Sequence, residues 1–262
     1  MDIKTYFTDV YYQFYNKVDE VDYFISLAID NSEAYQQAPL PKDHKFFKIA
    51  QYTFSAFLSA LESCWEIVKV THDLYCSLHN SASSSITEKY LEDGNKFNQF
   101  FDITDSTAFT WYFFLKNARN ASCHDGSLIL KGSNSNNFCF STDIHRYKKD
   151  VKSKEYLFLK YPSPTEDVIT SILQMAVCLI PLFEKKLIKP DLTTEDHKKA
   201  VTYNLNSLKD PIFQTVLNSF DGFIKEEFSQ AMTKSKAIIY EQKKSCDPII
   251  ENWKSKLHKF NS

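Results

Sequence analysis

The chain has 262 residues, a formal net charge of −2, 43% hydrophobic residues and 15% aromatics. That is enough apolar mass for one large domain, or one domain with an appendage, and too much for a disordered chain. Four glycines in all argue against an all-β fold built on tight turns, no Walker-type or Rossmann-type phosphate loop is present, and the near-neutral charge confines any nucleic-acid contact to a local basic patch.

From the N-terminus, Phe7, Val10, Tyr11, Phe14, Val18, Val21, Ile25 and Ala28 recur at spacings of three and four, which predicts one buried face of a helix over 3–30. Pro39 and Pro41 mark a loop over 31–43. A second long helix is predicted over 45–78, with Phe47, Phe54, Phe57, Leu58, Leu61, Trp65, Val68 and Leu74. Glu62 and Glu66 stand one turn apart on it, and a solvated face is the ordinary place for such charges. His72 and His79, near Asp73, lack a third convergent ligand, so no metal site is expected. After the serine run 81–85 a short helix is expected over 86–101, interrupted or ended near Gly94. Asp105 or Ser106 can then cap the next helix.

That next helix begins apolar at Phe109 and ends in a polar cluster before Gly126, a glycine suited to a helix stop. Only two of the 31 basic residues, Arg119 and Arg146, are arginine, so lysine is the default surface cation here. An arginine in an apolar helix therefore points to a need for a planar, permanently charged fork. The run Arg119-Asn120-Ala121-Ser122-Cys123-His124 resembles the Arg-x4-6-His signature of the HEPN superfamily in its Arg-Asn-x-x-x-His form. The resemblance implies a helical-bundle core over roughly 43–187. It implies a homodimer with a composite active site, and a metal-independent ribonuclease of the toxin–antitoxin or anti-phage defence kind. The partners would be RNA, a second copy of the chain and a possible antitoxin or defence-system protein. An acidic side chain from a preceding helix often lies near the motif, and Glu62 is the candidate for that place.

The chemistry suits those residue types. RNA carries its own nucleophile, the 2′-hydroxyl. A histidine with a pKa near ~6.5 can act as base or acid near neutral pH. Arginine's fork can hold two phosphate oxygens as charge grows on them. Neither metal nor cofactor is required, and the products would be a 2′,3′-cyclic phosphate and a 5′-hydroxyl. Residues five apart on an ideal helix lie ~140° apart around the axis, so the helix is expected to end or distort between Arg119 and His124. Asn120 would then orient the imidazole or bind phosphate, and Lys116 would add a phosphate contact. One imidazole cannot be base and acid at once, which a twofold dimer would remedy. The structural alternative makes Arg119 a member of a buried ion pair and His124 a helix-end residue near the last carbonyls. A thiol-nucleophile role for Cys123 has no third group to support it.

Beyond Gly126, short strands are expected over 127–131, 137–141 and 155–160, with a turn at 132–136. The connection 145–154 is the most basic stretch in the chain. Arg146, Lys148 and Lys149 could contact phosphates and Tyr147 could stack on a base, or the run is a solvated connection. Ser163, Pro164 and Glu166 form a capping box that opens a helix to about Leu187, bent at Pro181. Its apolar run, Val168 to Phe183, falls short of the ~18–20 residues a membrane span needs, so a buried helix and no membrane are expected. Six scattered cysteines and the lack of a visible signal peptide suggest reduced thiols and a cytoplasmic protein. Past Lys189 and Pro190, helices are expected at about 194–209, 211–220, 223–244 and 248–259.

The expected architecture is mainly α. It has a HEPN-like antiparallel helical bundle over 1–190, a small β-hairpin or three-strand insertion at about 127–160, and a helical C-terminal extension over 191–262. The expected function is metal-independent endoribonuclease. The rival is a non-catalytic HEPN-like module that binds nucleotide, RNA or a protein partner.

Overall fold

Two long helices open the chain, α1 (Ile3–Gln37) and α2 (Lys45–Leu78). The computed structural model describes residues 3–40, 42–79, 91–123, 130–133, 138–140, 143–149, 156–160, 167–190, 195, 211–219, 222, 224–227, 229–231 and 245–261, and it is mainly helical. Helix α1 outruns its expected end at residue 30 because its last turns still bury Asn31, Ser32 and Tyr35, and Asn31 Nδ2 donates to the Phe46 carbonyl at 3.0 Å. Asp43 opens α2 by accepting the Lys45 N–H at 2.8 Å. That backbone hydrogen bond holds the Asp43 carboxyl below the usual carboxylate range.

By internal contacts the chain divides into two units. One holds Met1–Asn16, Ile67–Ser85 and Leu187–Ser245; the other holds Lys17–Glu66, Ile86–Lys186 and Cys246–Ser262. Helices α1 and α2 each contribute to both. The segment grouped as one extension from the sequence, 191–262, is therefore divided, with its last residues joining the unit that contains the Arg119 helix.

In that unit the core is built on Trp65 of α2, which is wholly buried. Its ring lies 6.0 Å from Phe100 and 5.8 Å from Phe101 of α3 (Gly94–Phe101), 6.1 Å from Tyr112 of α4 (Thr107–Cys123), and 5.6 Å from Phe183 of α5 (Val168–Lys186). The interruption expected near Gly94 falls at Glu92 and Asp93, between helical Leu91 and Gly94, which starts α3. Asp93 caps it, accepting the Asn95 and Lys96 N–H groups, and a Cβ at Gly94 would come within 3.1 Å of the Phe109 ring. The helix ends at Asp102, whose φ of 55° is left-handed. Asp105 caps α4 through the Thr107 N–H at 2.9 Å.

Helix α5 continues through Pro181. Asp167 caps it, accepting the Thr170 N–H at 2.7 Å; the expected capping box at 163–166 lies outside the described residues. Among the described residues α5 is the one helix long and apolar enough to cross a membrane, and 61% of its apolar window is buried inside the protein. Helix α7 (Asp247–Asn261) packs against it. Trp253 of α7 is fully buried and its Nε1 donates to Asp22 at 2.7 Å, while the Cys246 N–H donates to Glu184 at 3.0 Å.

Among the described residues the β insertion has four strands in two antiparallel pairs. β1 (Leu130–Ser133) pairs with β2 (Phe138–Phe140), and β3 (Asp143–Lys149) with β4 (Tyr156–Lys160). Of the basic run 145–154, residues 145–149 are thus strand, in register Lys148 to Leu157 and Lys149 to Tyr156, with an irregularity between Ile144 and Lys148, and 150–154 lie outside the described residues.

The other unit takes the first half of α1, where Phe7, Val10, Tyr11, Tyr12, Phe14 and Tyr15 are buried. Burial, and secondarily the neighbouring Tyr11, pushes the Tyr12 phenol up to about 12. The helix expected at 211–220 is α6 (Pro211–Asn218). The one expected at 194–209 lies outside the described residues except for Glu195, and the one at 223–244 largely so.

Candidate functional site

On α2, Ser59, Glu62, Ser63 and Glu66 follow the i, i+3, i+4, i+7 spacing that puts side chains on one strip of a helix. Helix α4 turns Trp111, Phe114, Leu115 and Ala118 into the core and leaves Lys116 and Arg119 half-buried on its flank. The two surfaces meet at Glu62. Its Oε1 lies 2.9 Å from Lys116 Nζ and its Oε2 lies 2.8 Å from Arg119 Nε. The Glu62 side chain is 9% exposed, Lys116 17% and Arg119 34%.

Glu62, for which a solvated face was the ordinary expectation, is instead a buried carboxylate clasped by two cations. A lone carboxylate at that depth would carry a large desolvation cost, which the two partners offset. The 2.8 Å approach of Glu62 Oε2 to Arg119 Nε is a contact between opposite charges and not a hydrogen bond, since neither atom makes one. Arg119 Nη1 donates to Asn120 Oδ1 at 3.4 Å, the long end of the hydrogen-bond range. Lys116, expected as a phosphate contact, has its ammonium on Glu62.

Beside this cluster lies an open trough of about 310 Å³, lined by Ser59, Glu62, Ser63, Glu66 and Arg119. The two serine hydroxyls donate back along α2, Ser59 to the Ser55 carbonyl at 3.1 Å and Ser63 to the Ser59 carbonyl at 2.8 Å. Sequence reasoning missed Ser59 and Ser63 and gave Glu66 no role. The signal was the shared strip itself, two small hydroxyl residues one turn apart beside two carboxylates.

Helix α4 is unbroken from Arg119 to Cys123, so the end or distortion expected between Arg119 and His124 does not occur before Cys123. His124 lies outside the described residues, as does the side chain of Cys123. Strands β3 and β4 contact α4, and the side chains of Arg146, Tyr147, Lys148 and Lys149 on β3 lie outside the described residues. Among the described residues no group of three or more histidine, cysteine, aspartate or glutamate side chains converges as a metal site, and His72 and His79 assemble none.

Neither protein-family models, nor curated proteins, nor solved structures give a match to this chain. The chemistry must come from the residues themselves. They provide a planar cation held at the lip of a trough by a buried carboxylate, in a helix that leads directly to His124.

Proposed function

We propose that the chain is a HEPN-type, metal-independent endoribonuclease acting as a toxin or anti-phage defence effector in the cytoplasm. The observation that carries this reading is the Glu62 clasp on Arg119, five positions before His124 in the sequence. A transition-state cation acts best when it needs little reorganisation as charge develops, and the buried Glu62 charge 2.8 Å from Nε favours one place for the guanidinium. In this reading Arg119 contacts the phosphoryl oxygens and His124 moves the proton of the 2′-hydroxyl or of the leaving 5′-oxygen. Asn120 steadies the guanidinium, Lys116 with Glu62 forms its support, and the basic strand β3 guides the RNA backbone. A second copy of the chain supplies the second imidazole, and an antitoxin or defence-system protein would restrain the activity.

The same ion cluster favours one rival. Glu62, Lys116 and Arg119 tie α2 to α4, which is what a non-catalytic scaffold that binds nucleotide, RNA or protein would also need. Cleavage of single-stranded RNA in the presence of EDTA separates the two. The wild-type chain is expected to cut, and Arg119→Ala and His124→Ala are each expected to lose about a hundredfold or more, the usual loss when an oxyanion contact or a general acid–base group is removed. Wild-type rates in both variants would end the catalytic reading and leave the scaffold.

A further inference from the structure

Helix α4 carries five aromatic residues between Phe109 and Phe114, and it buries Trp111, Tyr112 and Phe114 in the core. Phe113 faces the other way. It is 47% exposed, and among the described residues the only other exposed phenylalanine is Phe260 near the end of α7. Exposure alone means little, since apolar atoms make up much of any protein surface. The placement of this ring means more.

The ring is backed. Phe97, wholly buried on α3, lies 5.5 Å from the Phe109 ring, and Phe109 lies 6.1 Å from Phe113. The missing Cβ of Gly94 makes room for Phe109, whose ring comes within 3.1 Å of the place that atom would take. The three rings form a ladder from the core to the surface, so Phe113 loses little freedom when another ring stacks on it. The ring also shares a ridge with the site. Phe109, Phe113, Lys116 and Asn120 follow the i, i+4, i+7, i+11 spacing of one helix strip. Phe113 and Asn120 lie within about 20° of each other around the axis and ~10 Å apart along it. Arg119 reaches onto that ridge, where its Nη1 donates to Asn120 Oδ1 at 3.4 Å. A phosphate contacted by the guanidinium from this side is therefore one or two nucleotides of extended strand from Phe113.

The kind of occupant follows from the ring's surroundings. Its neighbours on the exposed side of α4, Thr110 and Asn117, are uncharged, so the ring offers a π-face with a neutral rim. Every base has a face that stacks on such a ring, but a base that does so must leave its own pair and stack. We infer that Phe113 is a stacking platform for an unpaired base beside the scissile phosphate, and that the substrate is RNA single-stranded at that point.

This inference rests on the ribonuclease reading, and binding and cleavage are measured apart to separate them. A single-stranded 2′-O-methyl oligonucleotide, which lacks the nucleophile, is titrated onto the full chain by fluorescence anisotropy. Wild type is expected to bind at least about tenfold tighter than Phe113→Leu, in line with the stacking of one base. Phe113→Trp should bind at least as tightly as wild type, and circular dichroism confirms that each variant is folded. An abasic site moved along the oligonucleotide should weaken wild type by the same factor at one position and leave Phe113→Leu unchanged there. Equal affinity of wild type and Phe113→Leu, no binding at all, a loss that no abasic position reproduces, or a duplex bound as tightly as the single strand would overturn the platform. So would sedimentation in which Phe113→Leu dissociates a dimer at unchanged oligonucleotide affinity, which would give the ring to a second copy of the chain. In cleavage of a ribose-bearing oligonucleotide in EDTA, Phe113→Leu should raise KM about tenfold with kcat unchanged, the mark of lost uniform binding. Ring-dependent binding without any cleavage removes the ribonuclease and keeps the platform, whereas a wild-type KM in Phe113→Leu removes the platform and keeps the ribonuclease.

Discussion

Glu62→Gln isolates the clasp. The substitution keeps the shape of the side chain and one acceptor oxygen but removes the charge that faces Lys116 at 2.9 Å and Arg119 at 2.8 Å. Breaking a fully buried pair costs about 3–5 kcal/mol, and an exposed pair contributes about 0–1. Here the carboxylate is 9% exposed while the cations, at 17% and 34%, can recover part of their hydration, so the cost falls between, at about 2 kcal/mol. In a domain of this size about 1 kcal/mol moves Tm by ~2–4 °C, so the transition of the unit containing α4 should drop by about 4–8 °C in scanning calorimetry. A double-mutant cycle with Arg119→Gln should return a coupling of about 1 kcal/mol or more, since the two side chains share one contact. A drop under about 1 °C with no coupling would mean that the clasp holds nothing, and that the fixed position assigned to Arg119 is wrong.

Other consequences follow from single contacts. Trp253→Phe removes the Nε1–H that Asp22 accepts at 2.7 Å and should cost about 1.5–3 kcal/mol, as hydrogen bonds to charged groups do, with earlier proteolytic cutting near α7; an unchanged denaturation midpoint would count against α7 as a docked element. Tyr12 has a folded pKa of about 12 against an ordinary 10.0, so the unfolded chain ionises first and the stability tied to this phenol is full below pH 10 and lost as pH rises from about 10 to 12. Tyr12→Phe should flatten that alkaline limb, and an alkaline limb identical to wild type would refute the assignment. Burial pushes the thiols of Cys64 and Cys246 up and that of Cys178 up to about 11, so iodoacetamide at pH 8 should leave all three unmodified in the native chain while half-exposed Cys76 reacts. Mass spectrometry showing Cys64 labelled as fast as Cys76 would contradict the packing around it.

The parts of the fold that the sequence disclosed are those set by local periodicity. The buried stripe of α2 and its bounds follow from apolar spacing, and α5 from its continuous apolar run. Elements read less well where charge hides a pattern, as in β3, where Arg146, Lys148 and Lys149 look like a solvated connection until paired with β4. Contacts between distant segments leave no local trace. Nothing near Trp253 announces that it meets Asp22, 231 positions away, or that the chain after Cys246 rejoins the unit of α4. The site divides the same way. Arg119 was conspicuous as one of two arginines, and Glu62 could be named as its neighbour only through the family resemblance. What the sequence could not supply was the depth of Glu62, its second cation at Lys116, and the serine-floored trough beside it.

The central claim is that the RNA's own 2′-hydroxyl is the nucleophile and Arg119 the cation that stabilises the result. The direct measurement uses a DNA oligonucleotide carrying one ribose, incubated with the full chain in EDTA and read by mass spectrometry. The account predicts a single cut at the ribose that leaves a 2′,3′-cyclic phosphate and a 5′-hydroxyl, and no cut when Arg119 is alanine. Cleavage at deoxyribose positions, ends bearing a 5′-phosphate, or an intact strand with wild-type protein would contradict it.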